Sequence, residues 1–300
     1  MSKKLAVVAL LCSSCSLVYE LLYAQVLTVT YGGHVLRYSL TIGLFLLSKG
    51  IGSFLSSKLK RKILLHHFIS LELLLTIIGP LGVALIFCVS KSTFMVDYYY
   101  ETLFVAHLPI ILIGVLTGME VPFLDRLEGR KENGISILLG WDYVGALLGA
   151  VGFATWLYPE LGLISTTLIT GGLNLFIGLL MFIGQGVRYR NSIGILMTIL
   201  TLGIIALSIN KDNIYHYFVG QFYAKALERT ERLDVTRVDP THQESFLVKD
   251  TLRTKYQTIV KYSNAFRECV AIDFIPQICT NNSRAYHTAQ VDVPMSFSAQ

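Results

Sequence analysis

The apolar and polar positions of this chain change pattern once, at Asn210. Before that residue, long apolar runs alternate with short polar loops. A bilayer core requires about 20 apolar residues per helix, and each run is close to that length or longer. The pattern therefore predicts about seven transmembrane helices within residues 1–209: Leu5–Val29, Ser39–Ser57, Ile63–Val89, Thr102–Leu124, Ile135–Leu157, Leu161–Ile183 and Ile193–Ile209.

The remaining residues have the pattern of a small β-rich domain. Residues 210–244 are interpreted as a membrane-proximal linker, and residues 245–300 as the domain itself. Alternating apolar and polar positions predict a hairpin-rich set of strands, and a polar cap predicts a short C-terminal helix. The strands are Ser245–Lys249, Tyr256–Tyr262, Glu268–Asp273 and Pro276–Cys279, and the helix is Asn282–Gln290. The sequence thus predicts a mainly α, polytopic membrane protein with a small β domain.

Composition and charge agree with a membrane protein and indicate its orientation. Hydrophobic residues make up 53% of the chain and charged residues 15%, far from the values of soluble domains. The net charge of +5 resides mostly in loops, so it predicts membrane orientation and no nucleic-acid partner. The loops on one side hold only Arg37 and Lys91. The other side, which we expect to be cytoplasmic, holds the N-terminus and Lys3, Lys4, Lys58, Lys60, Arg61, Lys62, Arg126, Arg130, Lys131, Arg188 and Arg190. Seven crossings of the inner or plasma membrane then place the C-terminal domain outside the cytoplasm.

Charged residues inside the apolar runs are the first candidate site. Each costs about 2.5–3.5 kcal/mol to insert at the centre of a helix. Lys49 and Asp142 fall at similar depths on the cytoplasmic side, so they would pair if the second and fifth helices touch. Two interpretations stay open: a structural ion pair, or a polar pathway for a cationic ligand such as an amine. The intramembrane polar residues selected as candidates are Glu20, Lys49, Glu120 and Asp142; the third run also contains Glu72.

The cysteines suggest one covalent link. Cys269 and Cys279 lie symmetrically about Phe274, so a tight hairpin would place them opposite each other, within reach of a disulfide. The alternative is two small apolar residues on a buried face. Cys12 and Cys15 have the spacing of a redox motif, but they lie within the first apolar run, where we expect no redox role. No metal site is predicted.

Several segments, in the same order, resemble the membrane-fused spermidine synthases. These are polyamine aminopropyltransferases whose catalytic module follows a set of helices similar to those of the major facilitator superfamily. Each segment is short, but together they span nearly the whole chain. The matching segments are Tyr19-Glu20, Gly118-Met-Glu120-Val-Pro122, Asp142-Tyr-Val-Gly145-Ala-Leu-Leu-Gly149-Ala, Tyr256-Gln257-Thr-Ile, Ile272-Asp273-Phe274-Ile-Pro-Gln277 and Tyr286-His287.

The resemblance implies a role for the C-terminal residues. In this family they form a lid over the active site, which would make Gln257, Gln277, Tyr286 and His287 the polyamine- or nucleoside-facing side chains. Phe274 departs from the family's turn glycine. The family's nucleoside-binding domain would follow Pro294, and no Gly-x-Gly loop occurs from Asn210 to Gln300. We therefore expect no cofactor in this chain. Decarboxylated S-adenosylmethionine would bind only if a partner supplied that domain.

Three functions follow as hypotheses. The first is a pseudoenzyme, a non-catalytic binding or assembly subunit that contacts a protein partner or a second copy through its C-terminal domain. The second is the membrane half of a split aminopropyltransferase, completed by a partner of the Rossmann type. The third is a small-amine carrier. All three place the chain in the lipid bilayer, with a polyamine as the candidate ligand.

Overall fold

The protein has two separate units, a helical one and one that contains a small sheet. The structure is a computed structural model that describes residues 3–31, 34–58, 64–90, 99–129, 134–183, 190–215, 217–218, 247–253, 258–263, 268–272, 275–280 and 288. The helical unit covers Met1–Asp212 and the second unit covers Asn213–Gln300. The long helices are α1 (Lys3–Tyr31), α2 (His34–Ser56), α3 (Leu64–Ser90), α4 (Tyr99–Glu128), α5 (Gly134–Gly152), α6 (Gly162–Phe182) and α7 (Arg190–Ile209).

Six helical stretches in the described part of the chain are long and apolar enough to cross a membrane. The longest, Gly134–Phe182, has 49 residues, because a π-helical segment, Phe153–Leu161, joins α5 to α6. A straight helix of that length would measure about 74 Å, more than twice the thickness of a bilayer core. This stretch contains two of the predicted runs, so its path decides the number of crossings.

The chain reverses direction at the end of the π-helical segment. Gly162 has φ 71° and ψ −179°, a conformation that is essentially confined to glycine. The Thr166 hydroxyl donates to the Leu157 carbonyl over 2.8 Å, although nine residues of straight helix would separate these groups by about 13 Å. Because the chain turns back here, α5 and α6 are separate, antiparallel helices.

Contacts between helices show that their directions alternate along the chain. In a parallel pair, a contact further along one helix is also further along the other. Three pairs show this order: α1 and α5 (Leu10 with Gly145, Ser14 with Gly149), α1 and α3 (Cys12 with Glu72, Tyr23 with Gly82), and α2 and α4 (Phe45 with Gly114, Lys49 with Gly118). In an antiparallel pair, the residue numbers of successive contacts increase along one helix and decrease along the other. Three pairs show this order: α1 and α2 (Ser16 with Lys49, Gln25 with Tyr38), α3 and α6 (Thr76 with Gly171, Glu72 with Gly178), and α6 and α7 (Gly178 with Met197, Phe182 with Gly194). Helices α1, α3, α5 and α7 therefore run one way, and α2, α4 and α6 the other.

Helix α1 lies at the centre of the helical unit. The side chains of Tyr19 and Tyr23 are fully buried against α3. The Tyr19 hydroxyl donates to the Leu75 carbonyl over 3.2 Å and accepts from the Asn174 amide over 3.1 Å. A Cβ at Gly79 would overlap the Tyr19 ring. These tyrosines therefore fix both the spacing and the register of α1 against α3.

The four predicted strands are confirmed as one antiparallel sheet in the order β1-β2-β3-β4. They are β1 (Leu247–Arg253), β2 (Thr258–Ser263), β3 (Glu268–Ile272) and β4 (Ile275–Cys279). Cys269 stands opposite Cys279 in the register, and a disulfide of 2.02 Å joins them. The predicted helix Asn282–Gln290 lies, except for Thr288, outside the described residues.

Ion pairs connect the first three strands on the exposed side of the sheet. The Lys249 ammonium donates to Glu268 over 2.6 Å, and Lys261 lies 3.3 Å from the same carboxylate. The hydrogen bonds from Lys249 and then Lys261 hold the pKa of Glu268 below its usual value. Because the folded pKa is lowered, the stabilisation is present at neutral pH and is lost as the pH falls through that lowered value.

Candidate functional site

The charged residues of the helical unit face its interior at two places. Glu20 on α1, Glu72 on α3 and Glu120 on α4 are buried. Lys49 on α2 and Asp142 on α5 are partly exposed.

Small residues bring α2 and α4 together near the candidate residues. A Cβ at Gly118 would overlap the Lys49 carbonyl, and one at Gly52 would overlap the Val115 carbonyl. The glycine of the Gly118-Met-Glu120 segment thus has a packing role, since it lets the two helices touch through their backbones. Glu120 follows two residues further along the same helix.

A pocket of about 520 Å³ opens between α2, α4 and α5. Its walls are the C-terminal halves of α2 and α4 and the N-terminal half of α5, so it lies at the end of the helical unit where α1 begins. Arg126 donates to the Ser56 carbonyl over 2.7 Å at its rim. Two carboxylates, two cations and three serines line it together with apolar side chains: Asp125, Asp142, Lys49, Arg126, Ser53, Ser56 and Ser57. Such a lining can bind a small polar or charged molecule.

Lys49 and Asp142 face this same pocket but do not form an ion pair. The Lys49 ammonium donates to the Ser16 hydroxyl over 3.2 Å and lies 5.9 Å from the centre of the Phe45 ring. Among the described residues, no carboxylate lies within 4 Å of it. Helix α2 packs mainly on α4 and α1, and this leaves the pocket between α2 and α5.

A second group of polar side chains lies deeper, where α1, α3 and α4 meet. One ligand atom each from Cys12, Glu72 and Glu120 lies within 4.8 Å of the other two. The Cys12 thiol donates to Glu72 Oε1 over 3.5 Å. Neither Cys12 nor Glu72 was selected as a site residue from the sequence. The sequence did contain an indication of their proximity, because Cys12 and Glu72 each lie about two turns into their helices and these helices are parallel. The two residues are therefore at similar depth.

The structure describes one of the four C-terminal residues predicted to bind a polyamine. Gln277 lies on β4 with its side chain exposed. Gln257, Tyr286 and His287 lie outside the described residues, so their placement around a common site stays a prediction.

Three curated relatives carry the name polyamine aminopropyltransferase. The chain is 37% identical over 182 residues to that of Leptospira interrogans, a match covering 60% of this chain and 35% of the relative. It is 33% identical over 166 residues to polyamine aminopropyltransferase 2 of Ralstonia nicotianae, covering 53% and 31%. It is 26% identical over 255 residues to polyamine aminopropyltransferase 1 of Streptomyces coelicolor, covering 83% and 44%. No family model and no solved structure matches the chain.

These relatives define the relationship and its extent. The chain is similar to the spermidine synthase family and spans about a third of the length of the Leptospira and Ralstonia proteins. The Streptomyces match covers 83% of this chain, more than the helical unit alone contains. The similarity therefore includes part of the second unit.

Proposed function

We propose that this chain is an integral membrane, spermidine-synthase-like protein that is non-catalytic by itself and acts as a binding or assembly subunit. The observation that carries the proposal is the Streptomyces match, which includes residues of both units. A relationship limited to the helices would suggest only a shared anchor. One that extends into the second unit favours a role connected with polyamine chemistry.

The helical unit suits a bilayer because its outward faces are apolar. Along α7, four apolar residues spaced as one helical face are at least half exposed: Ile195, Ile199, Leu202 and Ile205. A soluble protein rarely exposes so continuous an apolar surface, whereas lipid covers it without cost. The basic loops support a cytoplasmic N-terminus, and the alternating helices then direct the end of α7 to the other side.

The proposed lack of catalysis concerns residues 1–300 by themselves and rests on the chemistry of aminopropyl transfer. The reaction requires a site for the nucleoside and a base that keeps the attacking amine neutral. Residues 210–300 contain no Gly-x-Gly loop of the kind that binds a nucleoside. In the sheet, the Glu268 carboxylate is already paired with Lys249 and Lys261. The alternative is a split enzyme, in which a Rossmann-type partner supplies both functions.

The sheet offers an attachment point for such a partner or for a second copy. In the part of the sheet that the structure describes, β1 and β4 are edge strands. Leu252 on β1 is 59% exposed, so this edge carries an apolar side chain that a partner could cover. Edges of this kind bind a further strand from another chain.

The first test measures binding and transfer by the purified full chain in lipid nanodiscs. We expect no binding of radiolabelled decarboxylated S-adenosylmethionine and no spermidine formed from putrescine. A soluble aminopropyltransferase is the positive control. Nucleoside binding or product formation by the chain alone would contradict the proposal. Transfer that appears only with a Rossmann-type partner would replace it with the split enzyme.

The pocket supports a second candidate function, the binding of a small amine for transport. Asp125 and Asp142 both line the 520 Å³ pocket, and carboxylates attract ammonium groups. We expect the double variant Asp125→Asn with Asp142→Asn to weaken putrescine binding by about tenfold or more, because each charge-assisted hydrogen bond contributes roughly 1.5–3 kcal/mol.

The matched control for that experiment is Glu101→Gln, an exposed carboxylate at the opposite end of α4. It should leave binding unchanged. Binding and uptake of labelled putrescine in proteoliposomes provide the measurement. Equal binding by the double variant and the unmodified protein would eliminate the amine candidate.

A further inference from the structure

The group formed by Cys12, Glu72 and Glu120 has the composition of a metal-ion site. Three separate helices contribute one side chain each, and their ligand atoms lie within 4.8 Å of one another. The exposed fractions of the three residues are 2%, 0% and 3%. Among the described residues this is the one group of three or more metal-binding side chains so close together.

Among the described residues, two oxygens in this group have no hydrogen-bond partner. Glu72 Oε2 and Glu120 Oε1 are both buried, and neither receives a hydrogen bond there. A buried carboxylate without a partner costs several kcal/mol, so two of them a few ångströms apart must either be protonated or share a positive charge. Lys49 does not provide it by contact, because its ammonium group donates to Ser16.

The surroundings restrict the size of what can bind there. None of the three residues lines the 520 Å³ pocket. All three are buried. A group so enclosed suits a single ion better than an extended polyamine.

The distance between the Cys12 and Glu72 ligand atoms agrees with metal coordination. Cys12 Sγ and Glu72 Oε1 are 3.5 Å apart. Zinc binds thiolate sulfur at about 2.3 Å and carboxylate oxygen at about 2.0 Å, so two such ligands at a tetrahedral angle are about 3.5 Å apart. A thiolate together with carboxylates favours zinc or a similar transition metal over magnesium or calcium, which prefer oxygen ligands alone.

We infer that Cys12, Glu72 and Glu120 bind one divalent transition-metal ion of the zinc class. A thiolate and two carboxylates carry three negative charges, of which the ion neutralises two. One negative charge then remains at the site. The site joins α1, α3 and α4 at the centre of the helical unit. It does not depend on the function proposed above.

The test measures metal content in the purified full chain. After exposure to zinc and removal of weakly bound metal, we expect about one equivalent of zinc per chain by mass spectrometry. Loading with cobalt should produce a thiolate-to-cobalt absorption band. Cys12→Ser should abolish this band and lower zinc affinity by about tenfold or more, because it removes the sulfur ligand. Glu72→Gln and Glu120→Gln should lower the affinity while the band remains weakly present.

Cys15→Ser is the matched control, because Cys15 is equally buried one turn further along α1 but lies outside the group of ligand atoms. The Cys15→Ser variant should keep its bound zinc and, when loaded with cobalt, its absorption band. Cys12→Ser changes a single atom, so it remains informative if a glutamate variant does not fold. A wild-type chain without bound zinc, with protonated carboxylates in place of a metal, would overturn the inference. Equal zinc content in the Cys12→Ser and wild-type chains would do so too.

Discussion

Gly145→Ala is expected to lower the stability of the helical unit by about 1–3 kcal/mol, the usual cost of overpacking a tight contact. A Cβ at this position would overlap the backbone carbonyl of Leu10 on α1. A backbone atom cannot rotate away as the end of a side chain can, so the two helices must separate. The Ser14 hydroxyl, which donates to the Gly145 carbonyl over 2.8 Å, would lose this partner. Thermal unfolding of the purified chain in detergent measures the effect.

Gly140→Ala provides the control on the same helix. No atom lies within 4 Å of a Cβ built at Gly140, and alanine raises helix propensity by about 1 kcal/mol at either position. The control should therefore be neutral or stabilising while Gly145→Ala destabilises. If both variants unfold at the same temperature, close packing of α5 on α1 is not what Gly145 provides.

Removal of the Cys269–Cys279 disulfide is expected to destabilise the sheet by about 2–3 kcal/mol. The bond closes a loop with a sequence separation of 10, and the loss of entropy in the unfolded chain gives this magnitude. Protection of the β3 and β4 amides from hydrogen exchange should fall by about 30- to 150-fold in the Cys269→Ala, Cys279→Ala double variant. Exchange followed by mass spectrometry of the full chain measures this change.

Cys88→Ala is the control, because Cys88 is an exposed free cysteine on α3. It should not alter protection of the sheet. Reducing the unmodified protein should reproduce the loss of protection seen in the double variant, and reducing the double variant should cause no further loss.

Cys269 and Cys279 also test the proposed orientation, since a membrane-impermeant maleimide should label them in intact cells only after reduction. Labelling that requires lysis would place the sheet in the cytoplasm.

Local sequence patterns were sufficient for the elements of this fold. Apolar runs of membrane length correspond to the seven helices, since each run is long and the loops between them are polar. The reversal between α5 and α6 is visible in the sequence as Pro159 and Gly162, although the helical structure itself continues almost to Gly162. The symmetry of Cys269 and Cys279 about Phe274 places them opposite each other, as the register has them.

The polar sites depend on which helices touch, and a single sequence does not contain that information. Lys49 and Asp142 lie at similar depth and would pair if α2 and α5 touched, but α2 packs mainly on α4 and both residues line the pocket without forming an ion pair. Cys12 was assigned no role because it lies in an apolar run. Its significance comes from Glu72 and Glu120, which reach it from two other helices. The depth of a polar residue along its own helix could be predicted from the sequence, whereas the helices that pack around that residue could not.

The central position of α1 has a consequence for biosynthesis. This helix precedes α2 to α7 in the chain, yet its side chains pack against helices that are made later. Until α3 and α6 have been made, the Tyr19 hydroxyl lacks both the Leu75 carbonyl and the Asn174 amide as hydrogen-bond partners. The nascent protein must therefore hold the buried polar groups of α1 in the membrane while its neighbours are still on the ribosome. A chain released after α2 would expose these groups to lipid and become a substrate for membrane quality control.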